Sequence, residues 1–143
     1  MTVSTASELD LAARLRLAVT RLARRLRQQA EHPGVSPTQI AALSTIERSG
    51  PMTLGALATA EQVAPPTITA AVGKLEEQGL VRREVDAGDR RVVRVEVTRA
   101  GRKLLDSTRI RKNAYLDRRL RSLSAADRET LAGAADILEG MLE

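Results

Sequence analysis

Residues 63–105 read VAPPTITAAVGKLEEQGLVRREVDAGDRRVVRVEVTRAGRKLL, and within this stretch the spacing of apolar residues changes from a helical to an extended period. The first part has one apolar face, made by Ile68, Val72 and Leu75. Pro65 suits the first turn of a helix and Gly79 suits a left-handed C-terminal cap, so a helix is predicted between them. Two valine-rich runs then alternate apolar and charged residues on either side of residues 86–91, DAGDRR, which predicts a β-hairpin.

A second short helix is predicted just before this one. Residues 54–61 are predominantly apolar, and residues 62–64 leave room for only a tight turn. Two short helices joined by a tight turn and followed by a hairpin form a winged helix-turn-helix. In that arrangement the second helix, hereafter the recognition helix, enters the DNA major groove. The hairpin, hereafter the wing, reaches the neighbouring backbone or the minor groove.

Amphipathic helices are predicted on both sides of this unit. One covers residues 7–30 with Ser7 as its N-cap, and another begins at Pro37. After the wing, Thr98 caps a long helix, and Ser124 begins a capping box for the last helix. The predicted fold class is therefore mostly α with a small β-hairpin wing, an α/β winged helix-turn-helix.

The composition favours an anionic partner and gives little support to catalysis. The 143 residues carry a net charge of +5 and the sequence pI is about 10.6, which favours an anionic partner such as nucleic acid or a membrane surface. There is no cysteine, and the single histidine, His32, lies beside Pro33 in a linker. Thiol chemistry is excluded, and a structural zinc site or a nucleophile–base pair lacks its residues. We therefore expect no enzyme activity, no metal and no cofactor.

The sequence also gives no indication of a membrane. The N-terminus, MTVSTASELD, lacks a basic region followed by an apolar core, so it does not resemble a secretory signal. No apolar run approaches the roughly 20 residues that span a bilayer. We expect a cytoplasmic protein with no membrane partner.

Three motifs, taken in their order and spacing, resemble the MarR family of bacterial transcription regulators. They are an LxxxG run before the first strand (Leu75 to Gly79), a D-R-R wing (Asp89, Arg90 and Arg91) and a T-x-x-G start of the next helix (Thr98 to Gly101). The resemblance implies a DNA-binding winged helix-turn-helix lobe over residues 33–97. It also implies a helical dimerisation region built from residues 1–32 and 98–143.

The resemblance further implies a role for the wing carboxylate. Asp89 is expected to pair with Arg91 and to hold its guanidinium at the wing tip for the minor groove. A narrow minor groove concentrates negative potential, which suits a planar group that is always charged. Asp86 either assists this arrangement or only caps the turn.

The recognition helix departs from the family pattern. Family members often carry a serine just before this helix and an arginine or large polar residue within it, whereas this chain has Ala64 and Ala70, together with Gly73. The outward face therefore has few groups for bidentate base contacts, which supply about 1–3 kcal/mol of discrimination each. We expect the DNA site to be recognised partly through its shape and through the wing.

Candidate DNA contacts fall on three parts of the predicted lobe. On the wing they are Asp89, Arg90 and Arg91. On the recognition helix they are Pro66, Thr67, Thr69, Ala70 and Lys74. At the helix starts they are Ser36, Thr38, Gln39 and Thr53. The alternative is local backbone bonding for the recognition-helix threonines, a solvated helix end for the lysine, and simple capping for the helix-start residues.

The terminal helices carry leucine stripes that a thin winged domain cannot bury. The candidates for a dimer interface are Leu11, Leu15, Leu22, Leu116, Leu120, Leu131, Leu138 and Leu142. A two-fold symmetric dimer would bury them and would match a palindromic DNA site with half-sites about one helical turn apart. The basic residues between positions 109 and 121 are interpreted as the exposed face of a dimer helix.

The sequence therefore predicts a homodimeric transcription regulator that binds double-stranded DNA, a repressor as in much of the family that it resembles. The resemblance also implies a small anionic effector between the dimer and DNA lobes. Tyr115 is the single aromatic residue, so arginines rather than stacked rings would hold such a ligand. The alternatives are an architectural or weakly specific DNA-binding protein and a winged helix that contacts only proteins.

Overall fold

The computed structural model describes the backbone of residues 2–143 and the side chains of residues 8–143. Six helices and three strands follow one another within this part of the chain. The helices are α1 (Thr2–Gln29), α2 (Pro37–Ser49), α3 (Leu54–Glu61), α4 (Pro65–Glu77), α5 (Arg99–Arg121) and α6 (Ala125–Met141). The strands are β1 (Met52–Thr53), β2 (Val81–Val85) and β3 (Val93–Val97). The predicted mostly helical fold with a small hairpin is confirmed, and α4 is the recognition helix.

Helix starts follow the capping residues that the sequence supplies. Ser36, Thr53, Thr98 and Ser124 each accept a hydrogen bond from the backbone N–H three residues further on, at 3.1 or 3.2 Å. Such caps satisfy a donor that has no partner within the helix. The prediction for α1 is wrong at one end, because the helix begins at Thr2 and Ser7 lies inside it.

The hydrophobic core is formed mainly by the faces of α2, α3 and α4 against β2 and β3, and Leu104 and Leu105 of α5 also belong to it. Its fully buried side chains are Leu43, Ile46, Leu57, Ile68, Val72, Leu75 and Val95. Burying a side chain of this kind contributes about 1.5–3 kcal/mol relative to leaving it in water. The recognition helix is thus fixed by its apolar face, while its other face is left to solvent.

The sheet has one more strand than the sequence predicts. β1 pairs antiparallel with β3, with Met52 opposite Val95, and the strand order is β1-β3-β2. The sequence gives no sign of β1 because two residues are too few to show an alternating pattern. By covering the second edge of β3, β1 ties the start of α3 to the base of the wing.

The base of the wing is joined to α5 by an unusually close packing contact. Thr98 N donates to Leu80 O at 3.0 Å, and Thr98 Oγ1 donates to Gly79 O at 2.6 Å. A Cβ atom at Gly101 would lie 2.2 Å from Leu80 O and 2.7 Å from Val97 Cγ1. Only glycine allows the first turn of α5 to approach the chain this closely, which gives the T-x-x-G motif a structural reason.

Candidate nucleic-acid interface

The wing tip presents an arginine that a carboxylate holds in place. Arg91 Nε donates to Asp89 Oδ1 at 3.1 Å, and Arg91 Nη2 donates to Asp89 Oδ2 at 3.2 Å. The backbone N–H of Arg91 donates to the same Oδ1 at 3.0 Å. The Arg91 side chain nevertheless stays 91% exposed. The expected pairing is therefore confirmed, and it leaves the guanidinium oriented but free to meet an anion.

Asp86 organises the loop that carries this pair. Its Oδ2 accepts hydrogen bonds from Gly88 N at 3.0 Å and from Asp89 N at 2.8 Å. Its Oδ1 accepts a bond from Arg94 Nη1 of β3 at 2.7 Å. Asp86 therefore makes no hydrogen bond or ion pair with Arg91. It fixes the turn through the two backbone N–H groups and anchors that turn to β3 through Arg94.

Both wing carboxylates are stabilised in the charged form. The hydrogen bond from Arg94, followed by the backbone bonds from Asp89 and Gly88, lowers the pKa of Asp86 below its usual 3.8. The side chain and backbone of Arg91 likewise lower the pKa of Asp89. Since both pKa values fall on folding, the contribution of these bonds is fully present above pH 3.8 and is lost as the pH drops through the folded values.

Arg90 stands beside this pair without a partner. Its side chain is exposed and makes no hydrogen bond or ion pair with any other group of residues 8–143. A long unpaired side chain loses rotamer freedom on binding, whereas Arg91 is already held. The two wing arginines are thus unequal: Arg91 is oriented in advance and Arg90 is not.

The wing is anchored at its base and projects beyond the core at its tip. Arg83 Nε of β2 donates to Glu76 Oε2 of α4 at 2.8 Å, which joins the hairpin to the recognition helix. Val81 and Val95 are buried, but Val85 is 54% exposed. The predicted alternation therefore holds only for the proximal half of β2, because no element of residues 8–143 covers the distal half.

The outward face of the recognition helix is poor in polar groups. Pro66, Thr67, Thr69, Ala70 and Lys74 are all exposed, opposite the buried face. Thr69 Oγ1 donates to Pro65 O at 3.0 Å, so its hydroxyl proton is used within the helix. This is the local backbone bonding left open as the alternative for Thr69; no such side-chain bond is formed by Thr67.

The start of α4 lacks the donors that commonly bind phosphate. Its N-cap residue, Ala64, makes no side-chain cap bond. Pro65 and Pro66 have no N–H, and the N–H of Thr67 donates to Ala64 O at 3.0 Å. The first three positions of the helix therefore have no amide hydrogen left for a phosphate, unlike most helix N-termini.

One residue at the start of α2 that was expected to contact DNA is buried in the structure. Gln39 is only 2% exposed, its Oε1 accepts from Ser36 N at 3.0 Å, and its Nε2 donates to Gln78 Oε1 at 2.9 Å. The prediction that Gln39 contacts DNA is wrong, because the side chain is buried and both ends of its amide are satisfied. Ser36 and Thr38 remain exposed, while Thr53 is partly buried and caps α3.

The terminal helices expose the apolar stripes that the sequence predicts for an interface. Within one chain α6 has no buried residue, and every described side chain of α1 before Ala23 is exposed. The exposed members of the predicted set are Leu11, Leu15, Leu22, Leu131 and Leu142, and the partly buried ones are Leu116, Leu120 and Leu138. Large apolar patches on a single chain mark interaction surfaces.

The basic residues of α5 differ from a plain solvated face. Arg109 bonds Glu47 of α2 and also Asp106, and the Glu47 contact is the main cause of the raised pKa of Arg109. Arg111 Nη1 donates to Glu31 O at 2.9 Å, beyond the end of α1. These arginines therefore join α5 to the lobe and to the linker, which their sequence pattern does not show.

A cleft of about 360 Å³ lies where α1, α2 and α5 meet. Most of its lining is aliphatic, from Leu26, Ala30, Val35 and Ile40 among others. Arg27 and Lys112 supply two cations at its wall, Glu31 supplies one carboxylate, and no aromatic ring lines it. Its place between the terminal helices and the winged lobe is the place expected for an effector.

Comparison with known proteins agrees with this geometry. The MarR family model matches residues 35–93. An uncharacterised HTH-type transcriptional regulator of Mycobacterium leprae is 39% identical over 137 residues, 96% of each chain. A crystal structure of a transcriptional regulator protein from Pseudomonas aeruginosa has a TM-score of 0.84 and 34% identity, covering 94% of this chain and 96% of that one. The chain belongs to the MarR family.

Membership of the MarR family makes this protein a DNA-binding transcription regulator, a class of protein distinct from enzymes. A Staphylococcus aureus MepR variant bound to an oligodeoxyribonucleotide shares the fold, with a TM-score of 0.71, 21% identity and coverage of 92% and 97% of the two chains. No helix within residues 2–143 is both long and apolar enough to cross a membrane.

Proposed function

We propose that this MarR protein is a cytoplasmic homodimeric repressor of a palindromic operator, with α4 in the major groove and the wing in the minor groove. The observation that carries the proposal is the wing tip, where Arg91 is bound by both oxygens of Asp89 and is still 91% exposed. An arginine fixed in this way meets the negative potential of a narrow minor groove with little further loss of entropy.

The polar groups of the lobe divide into contacts for affinity and contacts for register. Arg90, Lys74, Ser36 and Thr38 are exposed cations or hydroxyls suited to phosphates, whose neutralisation supplies most of the salt-dependent affinity. Arg91 and the outward face of α4 set the register and the sequence preference. Asp89 acts through Arg91, and Thr53 acts by fixing the start of α3.

The dimer follows from the apolar surfaces of α1 and α6. A two-fold axis through these helices buries both copies of each stripe and sets two winged lobes side by side. Each lobe then meets one half of a palindrome. The repressor assignment follows much of the MarR family, and a dimer bound over a promoter would exclude the transcription machinery from it.

The cleft between α1, α2 and α5 is the proposed effector site. Its aliphatic walls suit a small amphipathic ligand, and the cations Arg27 and Lys112, which outnumber the one carboxylate Glu31, favour a ligand with a carboxylate. Because the cleft is lined by both α1 and α2, a ligand that prefers one relative position of these helices changes the spacing of the two lobes.

Replacing Arg91 with Ala tests the proposal. We expect Arg91→Ala to weaken binding to a selected operator by at least about tenfold while the dimer stays intact, because an oriented charge-assisted contact is lost. Fluorescence anisotropy with a labelled operator measures the affinity, and sedimentation measures the dimer. Arg102→Ala is the control, since it removes the same charge from an exposed position on α5 that is outside the proposed DNA contacts and the predicted interface set.

Two results would contradict the proposal in different ways. An unchanged affinity for Arg91→Ala would show that the wing does not contact DNA. A wild-type affinity for the operator equal to that for random DNA, with the same salt dependence, would instead favour an architectural DNA-binding protein.

A further inference from the structure

The outward face of the recognition helix carries unusually small side chains, and packing within the lobe does not require them to be small. Gly73 lies one turn after Thr69 and Ala70 on that face, in ordinary helical conformation. A Cβ atom added at Gly73 would meet nothing within 4 Å. Glycine in a helix interior costs roughly 1 kcal/mol relative to alanine, and no contact within residues 8–143 compensates for that cost. The missing side chain therefore favours close approach by a surface outside the lobe, and α4 is the helix that this fold places in the major groove.

The same face has almost nothing with which to read hydrogen-bonding groups. The donor of Thr69 is used by Pro65 O, and the helix start has no free amide. Thr67 offers a hydroxyl that forms no side-chain bond within residues 8–143, at the start of the helix. Lys74 is a compact charge in the last turn of α4, better suited to a phosphate than to a base. Ala70, at the centre of the face, is exposed and presents only a methyl group.

One group in the major groove matches such a surface. Among the four bases only thymine presents an apolar group there, its C5 methyl, and alanine and threonine methyls are its usual protein partners. Burying two methyl groups against each other releases water from both, whereas an alanine placed against an N–H or carbonyl edge leaves that edge without a partner.

We propose that the recognition helix reads thymine C5 methyl groups, with Ala70 as the specificity-determining residue and Gly73 as the position that lets the helix come close enough. The proposal rests on the proposed function, since it requires α4 to lie in the major groove. It differs from recognition by donors and acceptors, because a base is then selected for one methyl group.

The test uses an operator that the protein itself selects from random double-stranded DNA. Thymines facing α4 are replaced one at a time with uracil, which removes the methyl and keeps every hydrogen-bonding group. We expect affinity to fall by about threefold to fivefold for each contacted methyl. Replacing a contacted T·A pair with 5-methylcytosine·G is expected to lose less affinity than replacing it with C·G.

A protein variant separates contact from DNA shape. Ala70→Gly is expected to bind the thymine and the uracil operators equally at the position that Ala70 contacts. Ala60→Gly, an exposed alanine within α3, is the control for weakening a helix and keeps the wild-type preference for thymine. Circular dichroism shows whether both variants are folded.

Each outcome decides between the two levels of the proposal. If uracil has no effect, or weakens Ala70→Gly as much as the wild type, Ala70 does not read the methyl and the inference is wrong, while the regulator function stands. If no DNA fragment is enriched over random sequence, the proposed function itself fails.

Discussion

Asp86 is a negatively charged residue of the wing that is nevertheless expected to support DNA binding. It adds a negative charge close to where DNA is expected, which by itself weakens binding. It also accepts three hydrogen bonds, from Gly88 N, Asp89 N and Arg94 Nη1, and these fix the loop that carries Arg91. We therefore treat Asp86 as a positioning residue whose gain in order exceeds its cost in charge.

The direction in which operator affinity changes when Asp86 is replaced tests this role. Asp86→Ala is expected to weaken operator binding about threefold to tenfold. Without the bonds to Asp86 the turn is less ordered in the free protein, so the free energy of ordering it reduces the binding free energy. Glu84→Ala is the control: it removes an equal charge from exposed β2, where the Glu84 side chain makes no hydrogen bond or ion pair with another group of residues 8–143. Glu84→Ala is expected to bind as well as the wild type or more tightly. Tighter binding by both variants in an anisotropy titration would show that Asp86 acts only as a charge.

At the level of elements, the sequence predicts most of the lobe because its periodic patterns are strong and well capped. The buried face of α4, the hairpin and the caps at Thr98 and Ser124 all follow from local spacing. The two-residue β1 and the burial of Gln39 do not, because each depends on a partner distant in the chain, Val95 and Gln78 respectively. The contacts of Arg109 and Arg111 cannot be predicted from the sequence of α5 either, because their partners Glu47 and Glu31 are distant in the chain.

The close packing of α5 on the wing base predicts a difference in stability between two glycine variants. Gly101→Ala is expected to lower the free energy of unfolding by about 1–3 kcal/mol, since its Cβ would overlap a backbone oxygen that cannot move without shifting β2. Gly73→Ala is the matched control, because a Cβ there meets nothing within 4 Å, and it is expected to stabilise the protein by about 0.4–1 kcal/mol. Urea unfolding at one fixed protein concentration measures both. Equal stability of the two variants would mean that the close approach at Gly101 does not exist.

For the whole molecule, the distribution of burial matters more than any single contact. The described core consists of the winged lobe together with Leu104 and Leu105 of α5, whereas α6 has no fully buried residue and α1 exposes leucines before Ala23. The chain therefore has one folded lobe with helical arms, and the proposed second copy would cover the exposed leucines of those arms. In the proposed dimer, coupling two lobes would raise the local concentration of the second to about the millimolar range, so we expect operator affinity to depend on dimerisation as much as on α4 or the wing.

A carboxylate placed in the apolar stripe separates dimerisation from folding. Leu131→Glu, at a side chain 46% exposed in one chain, is expected to give a folded monomer, because a buried charge opposes the interface but leaves the lobe core untouched. Its operator affinity is expected to fall by at least about a hundredfold, since each lobe then binds alone. Gly133→Glu adds the same charge to the opposite face of α6, where a Cβ meets nothing within 4 Å, and is expected to remain dimeric. Sedimentation and circular dichroism measure both variants. A Leu131→Glu protein that stays dimeric would place the interface elsewhere, and one that unfolds would show that the lobe depends on its partner for stability.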